Sequence, residues 1–284
     1  MKKLILAVTL MVLCSHGFVE TLSAADIKHQ AEANAALAKK AAAGAVPTSS
    51  DATNVCSYNF TSGVNNTFLQ YCVTVNGNIV QLQSPSGHTQ IRTDTHGEGY
   101  GVCDTGGQVD YSDYGDFGTS ANWNPAILLS QSGISVKIGR TTSDGIWTLT
   151  QTITQVSKTA SIKVVMALKN NSGIARDAYI LRYADADADG QAINNLDGTH
   201  NTAMAWTSTS AFPGYGLTLQ NVGSQAFAYD GFAQNISLGP VPCHYGVHFT
   251  PGVLTETDGS LVLVYVGTVP AKGTKTFNMM YKGL

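Results

Sequence analysis

The chain has 284 residues, with 16 Lys and Arg against 19 Asp and Glu, and its formal net charge is −3 at pH 7. This mild charge argues against nucleic acid as a partner, because proteins that bind phosphate backbones carry a basic patch. Charged residues make up only 12% of the chain, while Gly, Thr, Ser and Asn are abundant, as in many extracellular β proteins.

The N-terminus predicts export. Lys2 and Lys3 precede an apolar run over residues 4–13, and small residues follow at 23–25. This order is typical of a secretory signal peptide, here residues 1–25. The apolar run is shorter than the roughly 20 residues that a membrane span needs. We therefore expect a secreted or periplasmic protein with no membrane span after cleavage.

Residues 26–55 are predicted to form a short Ala-rich helix or arm followed by a linker. The first part is rich in Ala, Lys, Glu and Gln but has few residues for an apolar face. The stretch GAVPTSSDATN then has the Pro, Ser and Asp of a linker. The remaining residues, 56–284, form the predicted β domain.

Strand signals dominate this domain. In YCVTVNGNIVQLQ, Asn76 and Gly77 separate two β-rich runs, which is a strong hairpin signal. Over 147–154 apolar residues alternate with threonine, and SIKVVMALK alternates in the same way. Short strands separated by Gly- and Asn-rich turns predict an all-β fold, an antiparallel β-sandwich that is either one large sandwich or two joined edge to edge.

Four cysteines follow the signal peptide: Cys56, Cys72, Cys103 and Cys243. An even count in an exported chain predicts two disulfides rather than a thiolate metal site, which would need close CxxC pairs. Of the three connectivities, Cys56–Cys72 is favoured because the segment between them can fold back on itself. Cys103–Cys243 would then connect distant parts of the chain.

A glycine-rich segment, residues 97–126, is predicted to be a long loop rich in aromatic residues. The candidate ligand-binding residues are Tyr100, Tyr111, Tyr114, Phe117 and Trp123. Flat rings stack on sugar faces, and function concentrates on loops carried by a rigid sandwich. The alternative is that these rings close one end of the sandwich and form hydrogen bonds through their hydroxyls, since composition alone is weak evidence for a ligand site.

The same segment contains candidate catalytic carboxylates. Glu98, Asp113 and Asp116 are the residues that could form the carboxylate pair of a glycosidase. The separation of such a pair decides the chemistry, and the sequence does not give it.

The run RYADADADG, residues 182–190, places an aspartate at every second position. The D-x-D-x-D-G pattern matches the first half of a calcium loop, but its twelfth position is leucine where the pattern has glutamate. The candidate ligands of a structural calcium ion are Asp185, Asp187, Asp189, Gln191 and Asp197. Because a buried unpaired carboxylate is costly, we expect the strand to leave the core near Ala184. The alternative to calcium is a solvated acidic loop.

Four stretches, NGNIVQLQSPSG, GEGYGVCD, TSDGIWTLTQ and RYADADADG, resemble motifs of a group of uncharacterised secreted bacterial proteins. The resemblance covers most of residues 56–284. It implies export and a β-sandwich fold, and it transfers no catalytic residue.

The leading prediction for function is a secreted, non-catalytic binding or surface protein, with a polysaccharide or cell-surface glycan as partner. The alternative is a secreted carbohydrate-active enzyme that uses carboxylates of the 98–116 loop. A third is a structural envelope or matrix component, for which sparse charge and a threonine-rich strand face would suffice.

Overall fold

The structure, a computed structural model, describes residues 55–91, 97–114, 119–207, 214–223, 229–234, 242–244 and 253–284. The predicted signal peptide and nearly all of the predicted arm lie outside these residues, as do Asp116 and Phe117. No helix in the described ranges is both long and apolar enough to cross a bilayer.

Strands account for most of the described chain. In chain order they are β1 Tyr58–Ser62, β2 Leu69–Val73, β3 Ile79–Gln83, β4 Thr89–Ile91, β5 Glu98–Asp104, β6 Val109–Tyr114, β7 Thr119–Ala121, β8 Ile127–Gln131, β9 Ser135–Thr141, β10 Trp147–Val156, β11 Ser161–Asn170, β12 Arg176–Asp185, β13 Ile193–Thr199, β14 Thr202–Thr207, β15 Gly216–Asn221, β16 Tyr229–Gln234, β17 Leu254–Asp258, β18 Ser260–Val269 and β19 Thr274–Gly283. Short 3₁₀ turns lie at Asn65–Thr67, Ser157–Thr159, Ala188–Gly190 and Pro242–His244.

The strands form three antiparallel sheets, which confirms the predicted all-β sandwich. The strand orders are β1-β2-β3-β4, β17-β13-β14-β15-β19-β11-β10-β9-β8 and β16-β18-β12-β5-β6-β7. One cluster of buried apolar side chains draws on all three sheets. A second, smaller cluster of buried side chains lies within the six-stranded sheet and consists of Tyr114, Leu181, Tyr183, Val262 and Val264. The described strands of all three sheets thus share one main core.

Alternation along the two longest central strands builds this core. Trp147, Leu149 and Ile153 of β10 are buried, and the threonines between them are only partly buried. Alternate residues of β11, including Val164 and Met166, are buried in the same cluster. Because burying each such side chain stabilises the fold by about 1.5–3 kcal/mol, the period-2 pattern fixes which face of the sheet is inside.

The Asn76-Gly77 signal marks the β2–β3 hairpin, as predicted. Its turn closes with a hydrogen bond from the amide of Thr74 to the carbonyl of Asn78, at 2.9 Å. Gly77 has φ +93°, which favours glycine. Unlike most hairpin turns, this one is buried: Asn76 and Asn78 are 1% and 0% exposed. The turn therefore enters the interior of the sandwich.

The two predicted disulfides, Cys56–Cys72 and Cys103–Cys243, are both present. The first fastens the chain just before β1 to β2. The second connects β5 to the 3₁₀ turn at Pro242–His244. Such bonds are typical of proteins outside the reducing cytosol.

The two disulfides should differ in their contribution to stability. They span 16 and 140 residues. Since the loop-entropy contribution grows with loop length, replacing Cys103 and Cys243 by alanine should lower the unfolding free energy by about 2 kcal/mol more than replacing Cys56 and Cys72. Denaturant unfolding of the two double variants measures this difference, and equal losses would contradict the entropic account.

Candidate functional site

The predicted aromatic loop is wrong: residues 98–104 and 109–114 form β5 and β6, and 119–121 form β7. Glycine does not mark turns in β5. A Cβ at Gly99 would lie 2.2 Å from the carbonyl oxygen of Asp113, so the glycine permits the close approach of β6. Gly99 therefore serves close packing between strands, whereas Gly106 and Gly107 lie in the β5–β6 turn.

The candidate sugar-stacking rings are buried. Tyr100 and Tyr111 are 0% exposed, Tyr114 is 2% and Trp123 is 7% exposed. Tyr100, Tyr111 and Trp123 belong to the main core, with ring centroids about 6 Å apart (5.9 Å for Tyr100 and 6.0 Å for Tyr111 from Trp123). Burying rings of this size is strongly favourable, and it removes their faces from any ligand at the surface.

The carboxylate of Glu98 lies at the centre of the sandwich, paired with Arg182. Arg182 donates from Nε to Oε1 of Glu98 and from Nη2 to Oε2, the latter at 2.8 Å. The amide of Ile79 donates to Oε2 at 2.7 Å, and the hydroxyl of Tyr281 donates to Oε1 at 2.8 Å. Both partners of this ion pair are 0% exposed.

A second buried ion pair joins Asp113 to Arg140. Nη1 of Arg140 donates to Oδ2 of Asp113 and also to the hydroxyl of Tyr100, the latter at 2.9 Å. The guanidinium lies 5.5 Å from the ring centroid of Trp123. The side chains of the pair are 1% and 2% exposed.

The two ion pairs meet at the buried turn of the β2–β3 hairpin. Nη2 of Arg182 donates to the carbonyl of Gly77 at 2.9 Å. Asn76 donates from Nδ2 to Oδ2 of Asp113 at 3.1 Å. The carbonyl of Asn76 accepts from the hydroxyl of Tyr100 at 2.8 Å. Strands from both large sheets are thus bonded through one short turn.

The protonation of Glu98 reflects this burial. Burial raises the pKa of Glu98 to about 7, while the charge of Arg182 and the donors Ile79 and Tyr281 act to lower it. A pKa near neutrality suits a general acid or base, but buried structural ion pairs perturb pKa values in the same way. Access of a substrate to the carboxylate distinguishes the two roles. Glu98 is 0% exposed, so its environment fits the structural role.

Arg182→Met should destabilise the protein strongly, because it leaves the Glu98 carboxylate buried without its counter-charge. We expect the unfolding free energy to fall by about 3–5 kcal/mol. Adding Glu98→Gln should restore part of this loss, since the amide oxygen still accepts a hydrogen bond without carrying charge. Urea unfolding of both variants measures the effect.

Arg176→Met is the matched control for this experiment. Arg176 pairs with Asp104 at 2.7 Å, but its side chain is 24% exposed. A pair in contact with solvent contributes up to about 1 kcal/mol. Equal losses for Arg176→Met and Arg182→Met, or a further loss on adding Glu98→Gln, would show that the buried charge is not the stabilising element.

The aspartate run does not leave the core near Ala184, which corrects the expectation. β12 extends to Asp185, and Asp185 and Asp187 are only 4% and 2% exposed. Backbone bonds hold the segment inside: the amide of Asp185 donates to Gly97 and that of Asp187 donates to Gln90. Asp185 therefore ends a buried strand and Asp187 is buried just after it, while Asp189, in the 3₁₀ turn, is partly exposed.

Asp189 has a different environment from Asp185 and Asp187. It has φ +56°, and its Oδ1 lies 2.8 Å from Nδ1 of His88. Its amide donates to Oε1 of Gln90 at 3.3 Å. The third aspartate thus faces the β3–β4 turn rather than the other two.

Hydrogen bonds within the protein involve some of the candidate calcium ligands. Two of the candidate ligands already have other partners: the carbonyl of Gln191 accepts from Asn194 at 2.7 Å, and Oδ1 of Asp197 accepts from the amide of Gly198 at 2.8 Å. Within the described ranges, one group of three acidic, histidine or cysteine side chains has its donor atoms within 4.8 Å of one another. It consists of Cys103, Asp110 and Cys243, whose cysteines are disulfide-bonded.

Calcium therefore stays a prediction of the sequence pattern alone, and melting in calcium and in chelator tests it. The pattern predicts a higher melting temperature in calcium than in chelator, and this difference should be lost in Asp187→Ala. Equal melting temperatures in the two buffers would contradict the prediction.

A surface cleft of about 340 Å³ lies where the β1–β4 sheet meets the nine-stranded sheet. Its lining residues are Asn66, Ser84, Pro85, Thr159, Ala160, Tyr215, Lys282, Gly283 and Leu284. The β3–β4 and β10–β11 turns and the end of β19 supply most of them. An amide, a hydroxyl, an ammonium group and an aromatic ring thus face one opening.

Tyr215 is the aromatic ring of this cleft. It is 43% exposed, and one face of its ring stacks on His88 with a centroid distance of 3.4 Å and an interplanar angle of 17°. His88 is in turn held by Asp189. His88 therefore covers one face of a ring that is still 43% exposed.

Sequence reasoning missed Tyr215. No local pattern marks it, because His88 and Asp189 contact each other across a separation of 101 residues and Tyr215 follows later still. The one available signal was the acidic run itself, whose last aspartate orients the histidine behind the ring.

The fold is similar to part of a bacterial glucoamylase, and two other structures show a weaker likeness. No protein-family model matches the chain, and no curated protein matches its sequence. A bacterial glucoamylase complexed with acarbose superposes with a TM-score of 0.54 at 11% identity, covering 81% of this chain and 32% of that one. A galactose mutarotase-like protein from Lactobacillus casei gives 0.48 at 8% identity, covering 80% and 100%. The heparan sulfate lyase HepC from Pedobacter heparinus gives 0.45 at 12%, covering 82% and 35%.

The superposition on the glucoamylase shows a likeness of fold. The chain spans about a third of the length of the glucoamylase and of the lyase. At these identities the likeness concerns the fold.

Proposed function

We propose that the protein is an exported, non-catalytic glycan-binding protein whose ligand occupies the Tyr215 cleft. The observation that carries the proposal is the half-exposed ring of Tyr215, held flat against His88 beside hydrogen-bonding side chains. A fixed ring face beside amide, hydroxyl and ammonium donors matches the apolar face and the hydroxyl edge of a sugar. The two disulfides support a location outside the cytosol.

The buried carboxylates support the non-catalytic part of the proposal. A glycosidase places two carboxyl groups on either side of the bond that it breaks. Glu98 and Asp113 are each paired with an arginine and enclosed by the buried hairpin turn. In this arrangement they stabilise the sandwich and do not reach a polymer at the surface.

The cleft also favours one class of glycan. Lys282 supplies the charged group of its lining, so an acidic sugar would gain an ion pair that a neutral sugar lacks. The sandwich shared with part of a glucoamylase that holds acarbose is consistent with a sugar ligand, although that likeness is one of fold.

Binding to acidic and neutral polysaccharides, with release of sugar ends measured in the same samples, tests the proposal. Tyr215→Ala should weaken binding about tenfold, since losing a stacking contact of about 1.5 kcal/mol has that effect. Tyr215→Phe keeps the ring and should bind nearly as the native protein does. Lys282→Gln should weaken binding to acidic glycans alone.

Three outcomes would contradict the proposal. Failure to bind any glycan would remove the glycan-binding function. Binding unaffected by Tyr215→Ala would place the ligand elsewhere. Release of sugar ends, abolished by Asp113→Asn, would show that the carboxylates are catalytic after all.

A further inference from the structure

The nine-stranded sheet ends in a strand with an unusual surface. β8 pairs with β9 on one side and is the terminal strand of the sheet as described. All five of its residues are exposed, and three of them are large and apolar: Ile127 is 64%, Leu128 48% and Leu129 51% exposed. Ile134, in the following turn, is 54% exposed. An apolar patch therefore lies along an edge whose backbone can still form hydrogen bonds.

This edge lacks the usual protection by charge. Between Asp116 and Lys137 the sequence has no charged residue. Edge strands of soluble proteins normally carry lysine, proline or inward-pointing charge that discourages pairing with other chains. β8 has a register shift against β9 between Leu128 and Ser130, but its side chains are apolar or neutral. An open strand edge with apolar, uncharged side chains favours contact with another molecule.

Backbone chemistry decides what covers it. A glycan would need aromatic rings, and β8 has aliphatic side chains. A lipid bilayer could take the side chains but would leave the amides and carbonyls of the open edge without partners, which is costly in hydrocarbon. Another β-strand satisfies both the backbone and the side chains.

We infer that β8 pairs antiparallel with β8 of a second copy of this chain, joining the two nine-stranded sheets into one. An antiparallel pair of identical strands has two-fold symmetry, so each copy uses the same surface and the assembly closes as a dimer. Because β8 is uncharged, no like charges face each other across the new pair. The side chains of Ile127, Leu128 and Leu129 then contact side chains of the second copy across the new pair, which removes part of their apolar surface from water.

Sedimentation of the protein purified from an exporting host, over a range of concentrations, tests the inference. The native protein should sediment as a dimer. Leu128→Lys should raise the dissociation constant about tenfold or more, because it places a charge in the apolar contact. Ile174→Lys, at a residue that is 63% exposed in the β11–β12 turn, is the matched control and should leave the dimer intact.

Several results would overturn the inference. A monomeric native protein would do so, as would a dimer that is equally stable in Leu128→Lys and in Ile127→Lys. Binding of a native monomer to neutral phospholipid vesicles, lost in Leu128→Lys, would show instead that lipid covers the strand. Glycan binding by Tyr215 is measured separately, so neither result decides the other.

Discussion

The structure depends on one guanidinium group. Arg182 has no access to solvent, and its donors reach Glu98, Gln151 and the carbonyl of Gly77. These partners belong to both large sheets and to the hairpin of the small sheet. Each donor of a buried guanidinium needs a hydrogen-bond partner, because an unpaired donor would carry a large desolvation cost. The pair therefore specifies how the three sheets meet, in addition to what it contributes to stability.

The same constraint gives the β2–β3 hairpin its place. The turn at 74–78 contacts residues of both large sheets: Asn76 donates to Asp113 and accepts from Gln151. Arg182 donates to the carbonyl of Gly77, while Val75 is 37% exposed. Glu98 and Asp113, the candidate catalytic carboxylates, thus belong to the buried ion pairs that contact this turn. The surface that could meet a ligand lies elsewhere, at the Tyr215 cleft.

Part of this could be predicted from the sequence. The alternation over 147–154, the Asn76-Gly77 turn and both disulfides are local or nearly local signals, and all are confirmed. Gly99 was misread, because a glycine that permits close packing looks like one that forms a turn. Asp185 and Asp187 were expected in solvent, since composition does not show the backbone bonds that keep them buried. Tyr215 depends on His88 and Asp189, and no sequence spacing indicates that three-dimensional contact.

One feature of the topology bears on how the chain is made. β19 follows every other described strand along the chain, yet it lies inside the nine-stranded sheet, between β15 and β11. Tyr281 of β19 also donates to Glu98 across a separation of 183 residues. Until β19 has been synthesised, the two halves of that sheet cannot join, and Glu98 lacks its hydrogen bond from Tyr281. Such long-range closure slows folding, and it leaves open strand edges in need of protection while the chain is still growing.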